Sequence, residues 1–218
     1  MFAGHVGAAL AIGRAEPGIN VGILVFAALL LDVLLWIFVL LGWESVTIPA
    51  DFASTHQAEF IFPWSHGLAA ALVWSALGGL ASTLGPWRLR DGRFGAALLI
   101  AAAVFSHWLL DAVVHVPELP LWSAGSPKVG LGLWQQMPVA LMIEALMVIV
   151  GLCIYLPGAR LTGGKKRGLA ALVVLLLAFT VLGMTIAPPP PSAQAMAGAS
   201  LATLSGVCAL TCWLGRRA

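Results

Sequence analysis

Six long apolar stretches, separated by short loops, limit the possible folds of this chain more than any other feature. They lie at residues 19–43, 64–84, 94–116, 131–156, 168–187 and 195–214. Crossing a bilayer core about 30 Å thick takes about 20 helical residues, and each stretch has that length. Only 9% of the residues are charged, against about 25% in soluble domains. The sequence therefore predicts an all-α, polytopic membrane bundle with six transmembrane helices.

A shorter apolar stretch, residues 2–13, precedes the first predicted span. It is too short to cross a bilayer, so we expect either an interfacial helix or an arm that enters the bilayer. The sequence has no internal repeat and no separate soluble segment. Residues 1–218 are therefore expected to form one integral membrane domain, with a candidate site in residues 1–116 and further helices in residues 131–214.

The positions of the basic residues predict the orientation of the spans. With the exception of Lys128, the 11 Lys and Arg residues fall on one alternating set of loops and ends. By the positive-inside rule, both termini are cytoplasmic and the loops at 44–63, 117–130 and 188–194 lie outside. The expected location is a bacterial-type inner, or cytoplasmic, membrane.

Several ionisable side chains lie where the chain is otherwise apolar: Asp32, His107, Asp111 and Glu144. An acid at mid-bilayer costs about 2.5–3.5 kcal/mol, so it normally faces the bundle interior and has a partner. A single such acid is equally well explained as a hydrogen-bonded structural group. At about 1.5 Å per helical residue, however, these residues and His66 fall in one layer between the midplane and the outer leaflet. His5 extends toward the same layer from the N-terminal stretch.

One helix face of the third predicted span carries His107, Asp111 and His115, which are spaced four residues apart. Two imidazoles and a carboxylate on one stripe are typical ligands of a divalent metal of the zinc type. The alternatives are a hydrogen-bonded pair for His107 and Asp111, and a solvated side chain for His115 near the outer interface. His66 begins the second span, where a polar residue beside Ser65 is also an ordinary helix start.

Two acids are candidates for a general base near such a site. Glu144 lies within the fourth predicted span, and Gln135 and Gln136 precede it on the outer side. Glu59 lies in the first outer loop together with His56. That loop is expected to be solvated, and the alternative is that His56 or Glu59 closes over the site.

The same residues resemble motifs of the YdjM-like family of membrane-bound metal-dependent hydrolases, which is distantly similar to zinc-dependent phospholipase C. They are His5, Asp32 in LLLDVL, His66 in WSHGL, and the stretch SHWLLD that ends at Asp111. The last matches the family pattern Ser-His-x-x-Leu-Asp, and the resemblance covers about residues 5–115. Where the family has Pro-Asp-x-Asp, this chain has Leu31-Asp32-Val33-Leu34. Because Leu34 cannot coordinate a metal, the departure favours a single ion or a relative without hydrolytic activity.

The resemblance and the shared layer together predict a metallohydrolase that holds a divalent metal, expected to be Zn2+. Its ligands are expected among His5, Asp32, His66, His107 and Asp111, and the helix-face spacing adds His115. The expected substrate is a lipid-derived ester or phosphoester presented from the bilayer, with Glu144 or Glu59 as base. The first alternative is an ion- or proton-coupled transporter or channel that uses the same acids and histidines. The second is a haem protein ligated by His66 and His107, or a scaffold. No nucleic-acid partner is expected.

Overall fold

The structure is a computed structural model that describes residues 2–84 and 92–216. The helices are α1 Phe2–Gly13, α2 Val21–Ala28, α3 Leu30–Leu41, α4 Phe52–Thr55, α5 Leu68–Ser82, α6 Gly92–Val114, α7 Met137–Gly158, α8 Gly163–Thr185 and α9 Ala193–Leu214. A 3-10 turn, Leu133–Gln136, leads into α7. The predicted helical class is confirmed. Of the basic residues that predicted the orientation, Arg88, Arg90 and Arg217 lie outside the described residues.

Two small antiparallel hairpins interrupt the helical pattern in the predicted outer loops. Strands β1 (Ser45–Thr47) and β2 (Glu59–Ile61) form the first, and β3 (Leu119–Pro120) and β4 (Lys128–Val129) form the second. These loops are therefore folded, and the first hairpin holds its connecting segment, including α4, against the bundle.

Four helices are long and apolar enough to cross a membrane: Phe94–Val114, Leu133–Gly158, Gly163–Thr185 and Ala193–Leu214. The pair α2 and α3, bent by 51°, makes a fifth if it is counted as one span. The predicted span at 64–84 is not a full-length helix, because residues 63–67 form a turn and α5 has 15 residues. Such a helix is about 22 Å long, which is short of a 30 Å core. The described residues thus contain four or five candidate spans rather than six.

The N-terminal helix α1 lies inside the bundle. Ala3, His5 and Ala9 on this helix are completely buried. Gly7 allows the close approach to α7, because a Cβ there would lie 2.6 Å from the carbonyl oxygen of Met147. Gly151 on α7 similarly meets the backbone of Gly7. The short apolar stretch is therefore an interior packing element and not a helix on the surface.

The candidate residues lie on the central elements of the bundle. Helix α1 packs against α2, α6 and α7, while α9 packs on α2 and α3, and α5 packs on α6. The outer faces of α7 and α8 expose large apolar side chains such as Leu146, Val174 and Leu175. An apolar exterior of this kind is typical of lipid contact. The polar side chains are instead collected where α1, α3 and α6 meet.

Candidate metal centre

Four donor atoms from three parts of the chain converge in the bundle. His107 and Asp111 lie one turn apart on α6, Asp32 lies in the first turn of α3, and His66 lies in the turn before α5. The two imidazole Nε2 atoms are 3.1 Å apart. Asp111 Oδ2 lies 3.0 Å from His107 Nε2 and 3.4 Å from His66 Nε2. Asp32 Oδ1 lies 3.6 Å from His66 Nε2 and 3.7 Å from His107 Nε2.

These separations fit coordination of one small cation. Zinc binds nitrogen and oxygen at about 2.0–2.1 Å, so two ligands of a tetrahedral ion lie about 3.3 Å apart. The five measured separations lie on either side of this value. They leave no room for a porphyrin ring between His66 and His107, which argues against the predicted haem alternative at this site.

The hydrogen bonds of His107 direct its lone pair into the cluster. Its Nδ1 lies 2.7 Å from the carbonyl oxygen of Ala28. A carbonyl only accepts hydrogen bonds, so Nδ1 carries the proton and Nε2 of the neutral ring is an acceptor. A metal-binding histidine commonly has its second nitrogen engaged in this way.

His66 also has its proton on Nδ1, because of a chain of hydrogen bonds through Ser65 to Glu44, which we call the relay. The hydroxyl of Ser65 donates to Glu44 Oε2 at 2.7 Å and lies 2.8 Å from His66 Nδ1. Because the hydroxyl has one hydrogen, Ser65 Oγ accepts from Nδ1, and Nε2 of the neutral ring again carries a lone pair. The lone pairs of His66 and His107 therefore face each other, and this arrangement is repulsive unless a cation or a proton lies between them.

Glu44 was not expected from the sequence to take part in the site. It is buried, and its Oε1 accepts the backbone N–H groups of Trp64 and Ser65, each at 2.8 Å. Burial raises the pKa of the Glu44 carboxyl, and the hydrogen bonds from Ser65 oppose that rise. In the sequence Glu44 is a loop acid after Trp43, which usually indicates a solvated residue. Its contacts fix the turn that presents His66.

A break between α2 and α3 gives Asp32 its position. Leu29 separates the two helices, with φ −101° and ψ 2°. The Ala28 carbonyl at the end of α2 accepts the bond from His107, and Asp32 follows in the first turn of α3. Neither Gly nor Pro marks this break, so the sequence did not predict it. The side chain of His107 takes part in holding the broken turn.

His5 lies on the far side of Asp111. Its ring stacks on His107 with centroids 3.8 Å apart, and its Nε2 lies 3.2 Å from Asp111 Oδ1. The geometry is not that of a hydrogen bond, and both ring nitrogens of this fully buried side chain lack a hydrogen-bond partner within residues 2–84 and 92–216. Among these residues, His5 groups with Asp32 and His107 as potential ligands, and His66 groups with His107 and Asp111.

His115 lies at the margin of the cluster. Its Nε2 is 3.8 Å from Asp111 Oδ2, while its Nδ1 is 2.5 Å from Glu118 Oε1. Neither ligand group in the described part of the chain includes it. The structure therefore gives His115 the geometry of a histidine oriented by a carboxylate. The sequence analysis did not single out Glu118. Its spacing, three residues after His115, is the feature that could have indicated this pair.

The two predicted bases have different surroundings. Glu144 is buried, and its Oε2 accepts the backbone N–H groups of Ala3 at 2.9 Å and Gly4 at 3.4 Å. It thus caps the N-terminus of α1. Glu59 is exposed on β2 beside Phe60, whose side chain lines the cavity next to the cluster. Because neighbouring strand residues point to opposite faces, Glu59 points away from the cavity, as expected for a solvated loop residue.

A cavity of about 330 Å3 connects the cluster with the bundle surface. Asp32, His66, Asp111, His115 and Glu144 line one side, His56 lies in the wall near the loop, and side chains of α8 and α9 line the other side. The Asp32 side chain is 23% exposed, against 0–3% for its partners His66, His107 and Asp111. The cluster is therefore open to a small molecule on the side of Asp32.

Comparisons with known protein families, with curated proteins and with solved structures gave no match. The geometry of the site itself indicates which chemistry it can support. Two carboxylates and two imidazole lone pairs, next to a cavity of this size, are able to hold a divalent cation with one face open.

Proposed function

We propose that the chain is a membrane-embedded metal-dependent hydrolase, as the YdjM-like resemblance implies, and that its resident ion is Zn2+. The observation that carries the proposal is the set of donor separations of 3.0–3.7 Å around His66, His107, Asp32 and Asp111. The Nε2 atoms of both histidines lie 3.0–3.7 Å from a carboxylate oxygen of each acid, and Asp32 is open to the cavity. A catalytic zinc site has three protein ligands and one exchangeable position. His66, His107 and Asp111 form such a set of three, and Asp32 lies beside them on the side of the cavity.

A zinc ion held by His66, His107 and Asp111 would supply Lewis-acid chemistry, which polarises a substrate oxygen and makes water more acidic. His115 is placed to take up a proton at Nε2, because that atom lies beside Asp111 and the ring lines the cavity. Glu118 holds the Nδ1 proton and stabilises the charged ring. This pairing of a base with an orienting carboxylate is the general acid–base arrangement of many hydrolases. We therefore propose His115, rather than Glu144 or Glu59, as the base.

The substrate class follows from the two walls of the cavity. One wall carries the acids and histidines, and the other consists mainly of apolar residues from α8 and α9. This combination suits an ester or phosphoester of a lipid-derived, amphipathic molecule. In the proposed topology the chain crosses an inner membrane an even number of times, so both termini are cytoplasmic, and the site lies toward the outer leaflet.

Metal analysis of the purified protein tests the proposal. Wild-type protein should retain about one zinc ion per chain after dialysis, and both His107→Ala and Asp111→Asn should lose it. His56→Ala is the matched control, because His56 lines the cavity but lies outside both ligand groups of the described residues. Wild type that contains no more zinc than His107→Ala would refute the metal centre.

Turnover of chromogenic esters tests the proposed base. Glu118→Gln and His115→Gln should keep the metal and lower the turnover of p-nitrophenyl butyrate or bis-p-nitrophenyl phosphate by about 10²–10⁴-fold. Activity that survives both substitutions would exclude His115 as the base. Metal lost in His115→Gln but kept in Glu118→Gln would make His115 a ligand, as the sequence predicted.

One observation favours a second candidate, a transporter. Discontinuous helices whose backbone carbonyls face a buried site are typical of ion-coupled transporters, and α2 and α3 form such a broken pair with Ala28 at the break. Zinc or proton flux into liposomes would identify this function if Asp32→Asn abolished it. Hydrolysis by protein that shows no flux would favour the enzyme.

A further inference from the structure

The hydroxyl of Thr180 has no hydrogen-bond partner in the part of the chain that the structure describes. Thr180 lies on α8, is 6% exposed, and lines the cavity opposite the cluster. A buried hydroxyl without a partner is unfavourable, so such groups are rare in folded proteins and call for an explanation.

The helix itself offers Thr180 a partner that other threonines use. Thr185, Thr203 and Thr211 each donate to the carbonyl oxygen four residues earlier, at 2.7, 2.9 and 2.7 Å. This bond is the ordinary solution for a threonine inside a helix. Thr180 does not make it, so a rotation of its side chain can present the hydroxyl to a molecule in the cavity that Thr180 lines.

The residues around Thr180 indicate what kind of molecule the cavity binds. Met184 on α8 and Met196 on α9 line the same wall, and methionine side chains adapt to flexible apolar ligands. At the edge of the cavity, Phe179 is 54% exposed and packs against Phe2 with ring centroids 6.0 Å apart. The cavity therefore reaches the apolar exterior at Phe179. Its volume of about 330 Å3 is at the small end of ligand sites, which favours one polar head and the start of a single chain.

We propose that Thr180 is a substrate-positioning residue, which hydrogen-bonds the head of a single-chain lipid ester while the chain leaves the cavity past Phe179. The choice of an ester rests on the proposed hydrolase function. The hydrogen bond and the apolar exit rest on the cavity alone. The metal cluster and Thr180 would then hold the two sides of the same head group.

The test compares Thr180→Val with Thr203→Val, using protein in lipid nanodiscs and 1-monododecanoylglycerol as the probe. Both substitutions remove the hydroxyl of a threonine that lines the cavity and keep the side-chain shape, but the hydroxyl of Thr203 already has a partner. Without the probe, Thr180→Val should unfold at a temperature equal to or above that of wild type. With the probe, its affinity should fall about three- to ten-fold, as expected for one hydrogen bond, while Thr203→Val should bind as wild type does.

The same binding measurement on His107→Ala separates this proposal from the hydrolase. Thr180→Val should weaken probe binding both in otherwise wild-type protein and in the His107→Ala variant. This result supports the inference even if no ester is hydrolysed. A Thr180→Val variant that binds the probe as wild type does would overturn it, as would wild type that does not bind the probe. A Thr180→Val variant that unfolds well below wild type would show a structural hydroxyl and would overturn it too.

Discussion

Substituting Gly7 by Ala should disturb both the packing of α1 and the metal centre, although Gly7 contacts none of the proposed ligands. A Cβ at this position would lie 2.6 Å from the Met147 carbonyl oxygen and 2.7 Å from the Val148 Cα. Ordinary contact begins at 3.4 Å, so α1 and α7 must separate by about 0.8 Å. The obstructing atoms belong to the backbone, and no change of rotamer relieves them.

Both the stability of the protein and its affinity for zinc should fall. Overpacking of a well-packed interior costs about 1–3 kcal/mol, and we expect the free energy of unfolding to fall by that amount. His5 lies two residues before Gly7 on the same helix and moves with it. A shift of about 0.8 Å is large beside the 3.2 Å that separates His5 Nε2 from Asp111 Oδ1. Zinc affinity should therefore fall together with stability.

Chemical unfolding in detergent micelles, followed by circular dichroism, measures the first effect, and competition with a coloured chelator measures the second. Gly206→Ala is the matched control, since Gly206 is inside α9 and a Cβ there meets nothing within 4 Å. It should leave stability unchanged or raise it by up to about 1 kcal/mol, because alanine favours the helix. A Gly7→Ala protein as stable as Gly206→Ala would refute the close packing of α1 on α7.

Three further substitutions test the contacts around the cluster. Glu44→Gln should weaken zinc binding about 10–100-fold by disturbing the relay that orients His66, as measured by chelator competition. Ser65→Ala should have a similar effect, because His66 Nδ1 loses its acceptor, and unchanged affinity would exclude the relay. Glu144→Gln should lower the free energy of unfolding by about 0.3–2 kcal/mol, since a charge leaves the N-terminus of α1. Turnover lost without such a change in stability would instead make Glu144 a base.

The part of the site that follows helical periodicity was predictable. His107 and Asp111 are four residues apart, and any helix through them brings both to one face. Asp32 and His66 were expected nearby because their heights in the predicted spans agree, and the structure joins all four. The helical class followed in the same way from apolar stretches that are too long for soluble elements.

The remaining features depend on contacts that local sequence does not encode. Glu44 reaches Ser65 only because the turn at residues 63–67 replaces the first part of the predicted second span. The break at Leu29 has no Gly or Pro, and the Ala28 carbonyl there accepts a bond from His107 on a distant helix. Glu144 was expected in the same layer as the cluster, but its hydrogen bond with the Ala3 N–H depends on where α1 begins. Long-range packing decides each of these.

The charges of the cluster predict how zinc affects the stability of the protein. Asp32 and Asp111 place two carboxylates beside imidazoles whose Nδ1 atoms are already engaged, and a bound divalent cation would offset the charge of both. Removing zinc with a chelator should therefore lower the unfolding temperature of wild type, and added Zn2+ should restore it. The stabilisation should reach about 4 kcal/mol at free zinc a thousand times the dissociation constant. Potassium should not replace zinc, because imidazole nitrogens are ligands that suit zinc-type ions. His107→Ala, which lacks one donor, should not respond to zinc. A wild type equally indifferent to the chelator would show that no divalent ion is bound at the cluster.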